Sequence, residues 1–385
     1  MRVLMNAGPW LPVPPRGYGG IENIVATLVP ELRELGVEVV LATVGESTLA
    51  ADERVDTFPT GRFEMLQRPY NQACGVVPAH QAAVLRRVAA GGIDLVHDHV
   101  EAAGLTMLAG MGAGAPPGLH TLHWDLAKHP ELYGEFDGGD RVRVNGVSAD
   151  QLAHAPAGLR AHAIGHVHLA TPLAVGADTR EKTEKQPYAV VLGRVNPGKG
   201  QDLAARLAHE HGFDLVLAGP VGPCHTPEQL RAADRANPDV RFWYDHVAPH
   251  VDGVRVKWLG TVAGADRDAL VARASVALFP LRWNEPGGTA VVEALALGTP
   301  VVGIARGCLP ELIDHGRTGL LTTDEDELGE LVHAAGAIVE AECRAEAARR
   351  FTPAVMAAGY LRLYEELLGR KTARTQSSSF SLNSR

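Results

Sequence analysis

Short runs rich in β-branched residues alternate with stretches of helical spacing along nearly all of this chain, and that alternation admits few folds. Two parallel strands can be joined in one sheet only by a crossover, so repeated strand–helix units build doubly wound sheets with helices on both faces. The first half holds six such strands, at Val3–Asn6, Glu38–Ala42, Asp94–His97, Gly118–His123, Val142–Ser148 and Ala163–His168. Helical spacing is clearest at Ile21, Val25, Leu28, Leu32 and Leu35, which fall on one face of a helix that Gly36 ends.

The pattern lapses at 171–187, a polar stretch with a proline near each end, which reads as a connection between domains. A second series follows, with strands at Tyr188–Leu192, Asp214–Ala218, Val254–Leu259, Ser275–Pro280, Pro300–Ile304 and Gly319–Thr322. The chain therefore divides into two Rossmann-like α/β domains, 1–170 and 188–352, with a cleft between them. The 385 residues suit two such domains at about 150 residues each. Met356, Tyr360, Leu363, Tyr364 and Leu367 then form an apolar helical stripe within 353–370, with no strand after it, so this last helix has to dock elsewhere. The polar segment 371–385 has too little apolar surface to offset ordering entropy and reads as a disordered tail.

Composition removes several classes of function. Lys and Arg total 36 against 45 Asp and Glu, a net charge of −9, without the broad basic field that nucleic acid or an anionic membrane requires. A bound phosphate must be met by a local site. No apolar run reaches about 18 residues, and Met1 leads straight into a strand, so neither a transmembrane segment nor an export signal is expected and the protein reads as cytoplasmic. Cys74, Cys224, Cys308 and Cys343 are scattered without zinc spacing.

Four loops after strand ends carry groups suited to a sugar diphosphate, in the positions where doubly wound sheets bind ligands. In Gly17–Glu22, the backbone N–H groups of Gly19 and Gly20 can face an anion at the start of the first helix, although a plain tight turn explains the glycines as well. In Gly193–Gly200, Arg194 and Lys199 can converge on a pyrophosphate, the alternative being a solvated basic loop. The third loop joins the strand at Ser275–Pro280 to a helix starting near Thr289. Here Gly287, Gly288 and Thr289 present N–H groups to phosphate oxygens, and Glu285 and Glu293 can accept from sugar hydroxyls. Glu293 lies among Val291, Val292, Ala294 and Leu295, where an unpaired charge is unfavourable. In the fourth loop His123 can donate to a hydroxyl or polarise the reacting centre, and Trp124 offers an apolar face to a sugar ring; a satisfied structural histidine fits equally. The nearby His97–Asp98–His99 lacks a third ligand, so no metal is expected and His97 is read as lining the cleft.

Taken together, the GGIE loop, DLVHDH, TLHWD, GRVNPGKG, FPLRWNEPGGTAVVEALALGTPVVG and GCLPELIDHGRTGLL resemble glycosyltransferase family 4, the retaining enzymes of GT-B fold, over nearly the whole chain. The resemblance implies a nucleoside diphosphate sugar as donor, a small-molecule or carbohydrate acceptor, no cofactor and no metal. It implies that Glu285 holds donor-sugar hydroxyls and Glu293 the ribose, that Arg194 and Lys199 meet the diphosphate, and that Gly19 or Gly20 closes over it. His123 is similar to the histidine near the transferred sugar, and the last helix is expected to cross back onto the first domain. Many members carry a bulkier residue where this chain has Gly287, which implies more room beside Glu285. Trp10, Arg16, Tyr18, His97 and Trp124 are placed on the acceptor side by loop position. Two other readings stay open: a nucleotide-sugar epimerase of related fold, and a non-enzymatic sugar-binding protein.

Overall fold

The computed structural model describes residues 1–17 and 19–369, and contains two parallel sheets. The first has seven strands: β1 (Arg2–Asn6), β2 (Glu38–Thr43), β3 (Glu53–Asp56), β4 (Leu95–Asp98), β5 (Gly118–Thr121), β6 (Val142–Gly146) and β7 (Ala163–His166), in the order β3-β2-β1-β4-β5-β6-β7. The second has six: β8 (Gln186–Leu192), β9 (Asp214–Ala218), β10 (Val256–Trp258), β11 (Ala274–Phe279), β12 (Val301–Ile304) and β13 (Gly319–Thr322), in the order β10-β9-β8-β11-β12-β13. Strand order reverses at β1/β4 in one sheet and at β8/β11 in the other. The loops leaving β1, β8 and β11 are three of the four motif loops, and the fourth, with His123 and Trp124, leaves the neighbouring β5.

The first helix spans Gly20–Glu34 and buries Val25, Leu28, Val29 and Leu32 against Val3, Met5, Leu41 and Leu95. Each such side chain contributes about 1.5–3 kcal/mol when fully removed from water. Gly36, at φ 80°, lets the chain turn back so that Val37 N–H reaches Leu32 O at 3.0 Å and closes the helix end. One strand, β3, escapes the sequence reading. Its ERVD sequence lies at the sheet edge with none of its residues fully buried, so it lacks the apolar run by which a strand is recognised.

The last helix, Pro353–Leu367, starts on the side chain of Thr352, which accepts from Val355 N–H. Its Met356, Ala357, Tyr360 and Tyr364 join the core of the first domain, packed with Val25, Leu28 and Leu119. This is the crossing back to the first domain that the resemblance implies. Tyr364 Oη lies 2.7 Å from His97 Nδ1, and Thr121 Oγ1 lies 2.8 Å from His97 Nε2. His97 therefore does not line the cleft. It is fully buried and fastens the last helix, because on β4 it alternates onto the face the helix covers.

The segment 171–187 is more than a tether. It holds two short 3-10 turns, Pro172–Ala174 and Ala177–Thr179, and buries Ala174 and Ala177 against Cys343, Ala347 and Phe351 of the second domain. The two domains also touch directly. Glu311 of the second accepts from the backbone N–H groups of Ala149 and Asp150 of the first at 2.9 and 2.7 Å, and lies 3.0 Å from His168 Nε2. The tail at 371–385 lies outside the described residues. Among the described residues, no helix is long and apolar enough to cross a membrane.

Candidate active site

The strand β8 ends in the loop Gly193–Gly200, and two local features shape it. The Asn196 side chain accepts from Lys199 N–H, and Gly200, at φ 70°, passes so near Pro280 that an added Cβ would lie 2.0 Å from its carbonyl oxygen. The Lys199 loop is thereby pressed against the end of β11. Lys199 Nζ bonds directly to a carboxylate oxygen of Glu285 and lies 4.9 Å from the centre of the Trp283 ring. Arg194, in the same loop, is exposed, and its carbonyl accepts from Gln201 Nε2 at 2.9 Å.

Glu285 is set by its backbone, whose carbonyl accepts from Cys308 N–H at 2.8 Å. Three residues on, Gly288 adopts φ 60° and opens the helix Thr289–Ala296. The first N–H groups of a helix lack intrahelical acceptors and carry its positive dipole end, so Gly288 and Thr289 offer an anion site beside Lys199. Lys199, Gln201, Glu285, Gly288 and Val291 line one crevice. Glu293 lies farther along the helix. Burial pushes its carboxyl pKa up, while the Arg267 guanidinium, 3.2 Å away, draws it back. Arg267 lies in no motif that the sequence displays.

Gly287 departs from expectation. An added Cβ would lie 2.6 Å from Leu169 Cδ1 and 3.2 Å from Val147 Cγ2, both in the first domain. Removing a side chain here opens no room beside Glu285. The first domain fills the space.

On the first-domain side, His123 Nε2 lies 2.8 Å from His99 Nδ1, and His99 Nε2 lies 3.1 Å from Met5 Sδ. Burial pulls His123 down to about 3 and His99 well below its usual value, so both rings are neutral, each carries one N–H, and only one of the two facing nitrogens can donate. A thioether has no proton to give, so His99 keeps its own on Nε2 and accepts at Nδ1. His123 then donates from Nε2, and its Nδ1, buried without a protein partner, presents a lone pair. The expected hydrogen-bond donor is thus an acceptor. Trp124 stands beside it with Lys128 Nζ 4.9 Å from its ring centre and a buried, unpartnered Nε1.

The Gly19–Gly20 turn is also altered from the expected anion site. A Cβ at Gly19 would lie 2.6 Å from Pro15 and 3.1 Å from Glu22 Oε2, because the Glu22 side chain folds back over the helix start. Burial pushes the Glu22 carboxyl up to about 7. Gly20 has open space around it, Trp10 is half-buried, and Arg16 is exposed with Glu46 at 3.4 Å. Tyr18 lies outside the described residues.

Comparison with known proteins agrees with this architecture. Residues 177–352 match the family model for glycosyl transferases group 1, and residues 18–145 match that for glycosyltransferase family 4. The D-inositol 3-phosphate glycosyltransferase of Actinosynnema mirum is 30% identical over 352 residues, 79% of this chain and 80% of that protein. Its namesake from Acidothermus cellulolyticus is 27% identical over 424 residues, covering 93% and 88%. Among solved structures, AviGT4, a glycosyltransferase involved in avilamycin A biosynthesis, is 26% identical with a TM-score of 0.62, covering 96% of this chain and 98% of that one. Anabaena HepE, solved in complex with UDP-glucose, shares the fold at 17% identity and a TM-score of 0.63, over 95% and 100% of the chains. Two facing Rossmann-like sheets, the returning last helix and the Lys199–Glu285 crevice, read beside these relatives, make this chain a glycosyltransferase of family 4 with the GT-B fold.

Proposed function

We propose that the chain transfers a sugar from a nucleoside diphosphate sugar to an acceptor hydroxyl, with the anomeric configuration kept and with protein cations, not a metal, on the diphosphate. The observation that carries this reading is the Lys199–Glu285 pair at the start of the helix Thr289–Ala296. A donor entering the crevice offers each partner a replacement: Lys199 turns to the diphosphate and Glu285 to the sugar hydroxyls. The charge that develops on the departing diphosphate then meets Lys199, Arg194 and the Gly288–Thr289 N–H groups, already oriented in a partly desolvated crevice. Glu285 serves as a positioning group, with no covalent step assigned to it. The acceptor approaches from the face the sugar leaves, and an oxygen of the leaving phosphate takes its proton. The His123 Nδ1 lone pair accepts from a hydroxyl of the bound sugar, and Glu293, held by Arg267, accepts from the ribose.

The names of the relatives make D-inositol 3-phosphate the first acceptor to try, and UDP-glucose, bound by HepE, the first donor. The decisive experiment incubates the full chain with UDP-, GDP-, ADP- and dTDP-sugars, with and without that acceptor, and follows the anomeric proton by NMR. A new glycoside whose anomeric configuration matches that of the donor supports the reading. An inverted product, or an epimerised sugar nucleotide formed without acceptor, overturns it.

A further inference from the structure

Where β7 runs out, His166 and His168 project from alternate positions of extended chain toward the second domain, and Glu311 of the helix Leu309–Leu312 meets them. His168 Nε2 lies 3.0 Å from Glu311 Oε2, and His166 Nε2 lies 3.9 Å from the same atom. All three ligand atoms fall within 4.8 Å of one another, and the two rings are 4.9 Å apart between centres. We propose that His166, His168 and Glu311 form a binding site for one divalent transition-metal ion of the zinc class, bridging the two domains.

The chemistry of the set fits that ion. Two imidazoles and one carboxylate are the ligands zinc takes when a fourth position is left to water, whereas magnesium and calcium call for oxygen ligands. In a tetrahedron with bonds of about 2.0–2.2 Å, ligand atoms stand about 3.4 Å apart, between the two separations found here. His166 is 35% exposed and makes no close hydrogen bond, so its ring can swing inward at little cost. Glu311 is the better-fixed ligand. Its two oxygens accept from Ala149 and Asp150 N–H, which orient the carboxylate as outer-shell donors orient metal ligands. On binding, His168 exchanges its contact with Glu311 for the ion and holds its proton on Nδ1. Two ligands come from one domain and one from the other, so the ion restrains the domains where Gly287 and Leu169 already touch.

The test uses the full chain stripped with a chelator. Calorimetry with Zn2+ and visible absorption with Co2+ are expected to show one saturable site, and Zn2+ a saturable rise in Tm; Mg2+ is expected to give neither. The double variant H166A/H168A is expected to weaken Zn2+ binding by about tenfold or more and to lose the intense Co2+ absorption of a four-coordinate site. Because it keeps the Glu311 contacts to Ala149 and Asp150, its Tm without metal is expected to stay near that of the parent. Absence of saturable Zn2+ binding in the parent overturns the proposal. So does undiminished binding in the double variant, which would place the ion among others of the 17 histidines.

Discussion

Lys199 and Glu285 pair directly, although one stands on the loop after β8 and the other on the loop after β11. Each therefore keeps the other in position before any donor arrives. In the proposed mechanism, replacing Lys199 by alanine removes a cation from the developing diphosphate charge, and kcat is expected to fall by ~10² or more, as for loss of one oxyanion donor. Steady-state rates at saturating donor check this, and an unchanged kcat refutes the role. The variants K199A, E285Q and K199A/E285Q together are expected to be non-additive, because each single change leaves a partner unmatched.

Tyr364 and His97 test how the last helix is held. The hydroxyl meets a fully buried ring nitrogen, so Tyr364→Phe leaves that nitrogen without a partner and is expected to destabilise the fold by about 1–3 kcal/mol. A lowered denaturation midpoint with little change in kcat is the expected outcome. Equal stability of the two proteins would show that apolar packing alone docks the helix.

Gly287 touches Leu169 across the seam, so a side chain there acts on domain closure and not on the sugar pocket. Gly287→Phe is expected to raise the donor KM and lower kcat together if, as proposed, groups from both domains meet one donor. Leu169→Ala in the same chain is expected to restore part of the loss. A G287F variant that changes sugar preference at unaltered kcat would return Gly287 to the pocket.

The parts of this fold that the sequence discloses are those whose signal is local. The first helix shows its apolar stripe and its closing Gly36, and the loop residues Lys199, Glu285 and Gly288 follow strand ends in recognisable spacing. What it withholds depends on distant partners. His97 reads as cleft-lining until the Tyr364 hydroxyl, 267 positions away, is seen to claim it. The space at Gly287 looks open until Leu169 occupies it, and Arg267 means nothing until Glu293 is beside it. The direction of the His123 hydrogen bond is set by Met5, at the other end of a chain of contacts that no motif contains. β3 is hidden for a different reason, since an edge strand needs no apolar face.

Glu22 gives a prediction in pH. Its carboxyl is held to about 7 in the folded protein by burial, against an ordinary value of 4.5. Between those values the unfolded chain has released the proton and the folded chain has not, so the unfolded state binds fewer protons and stability falls as pH rises from 4.5 through about 7. Above that range the folded protein carries a buried anion and the loss levels off, at an order of 3 kcal/mol from the difference between the two pKa values. Glu22→Gln stays neutral throughout and is expected to remove this slope. The gap between the two proteins then widens from about pH 5 to about pH 8 in urea titrations. Parallel stability curves across that window would mean that Glu22 ionises freely in the folded protein.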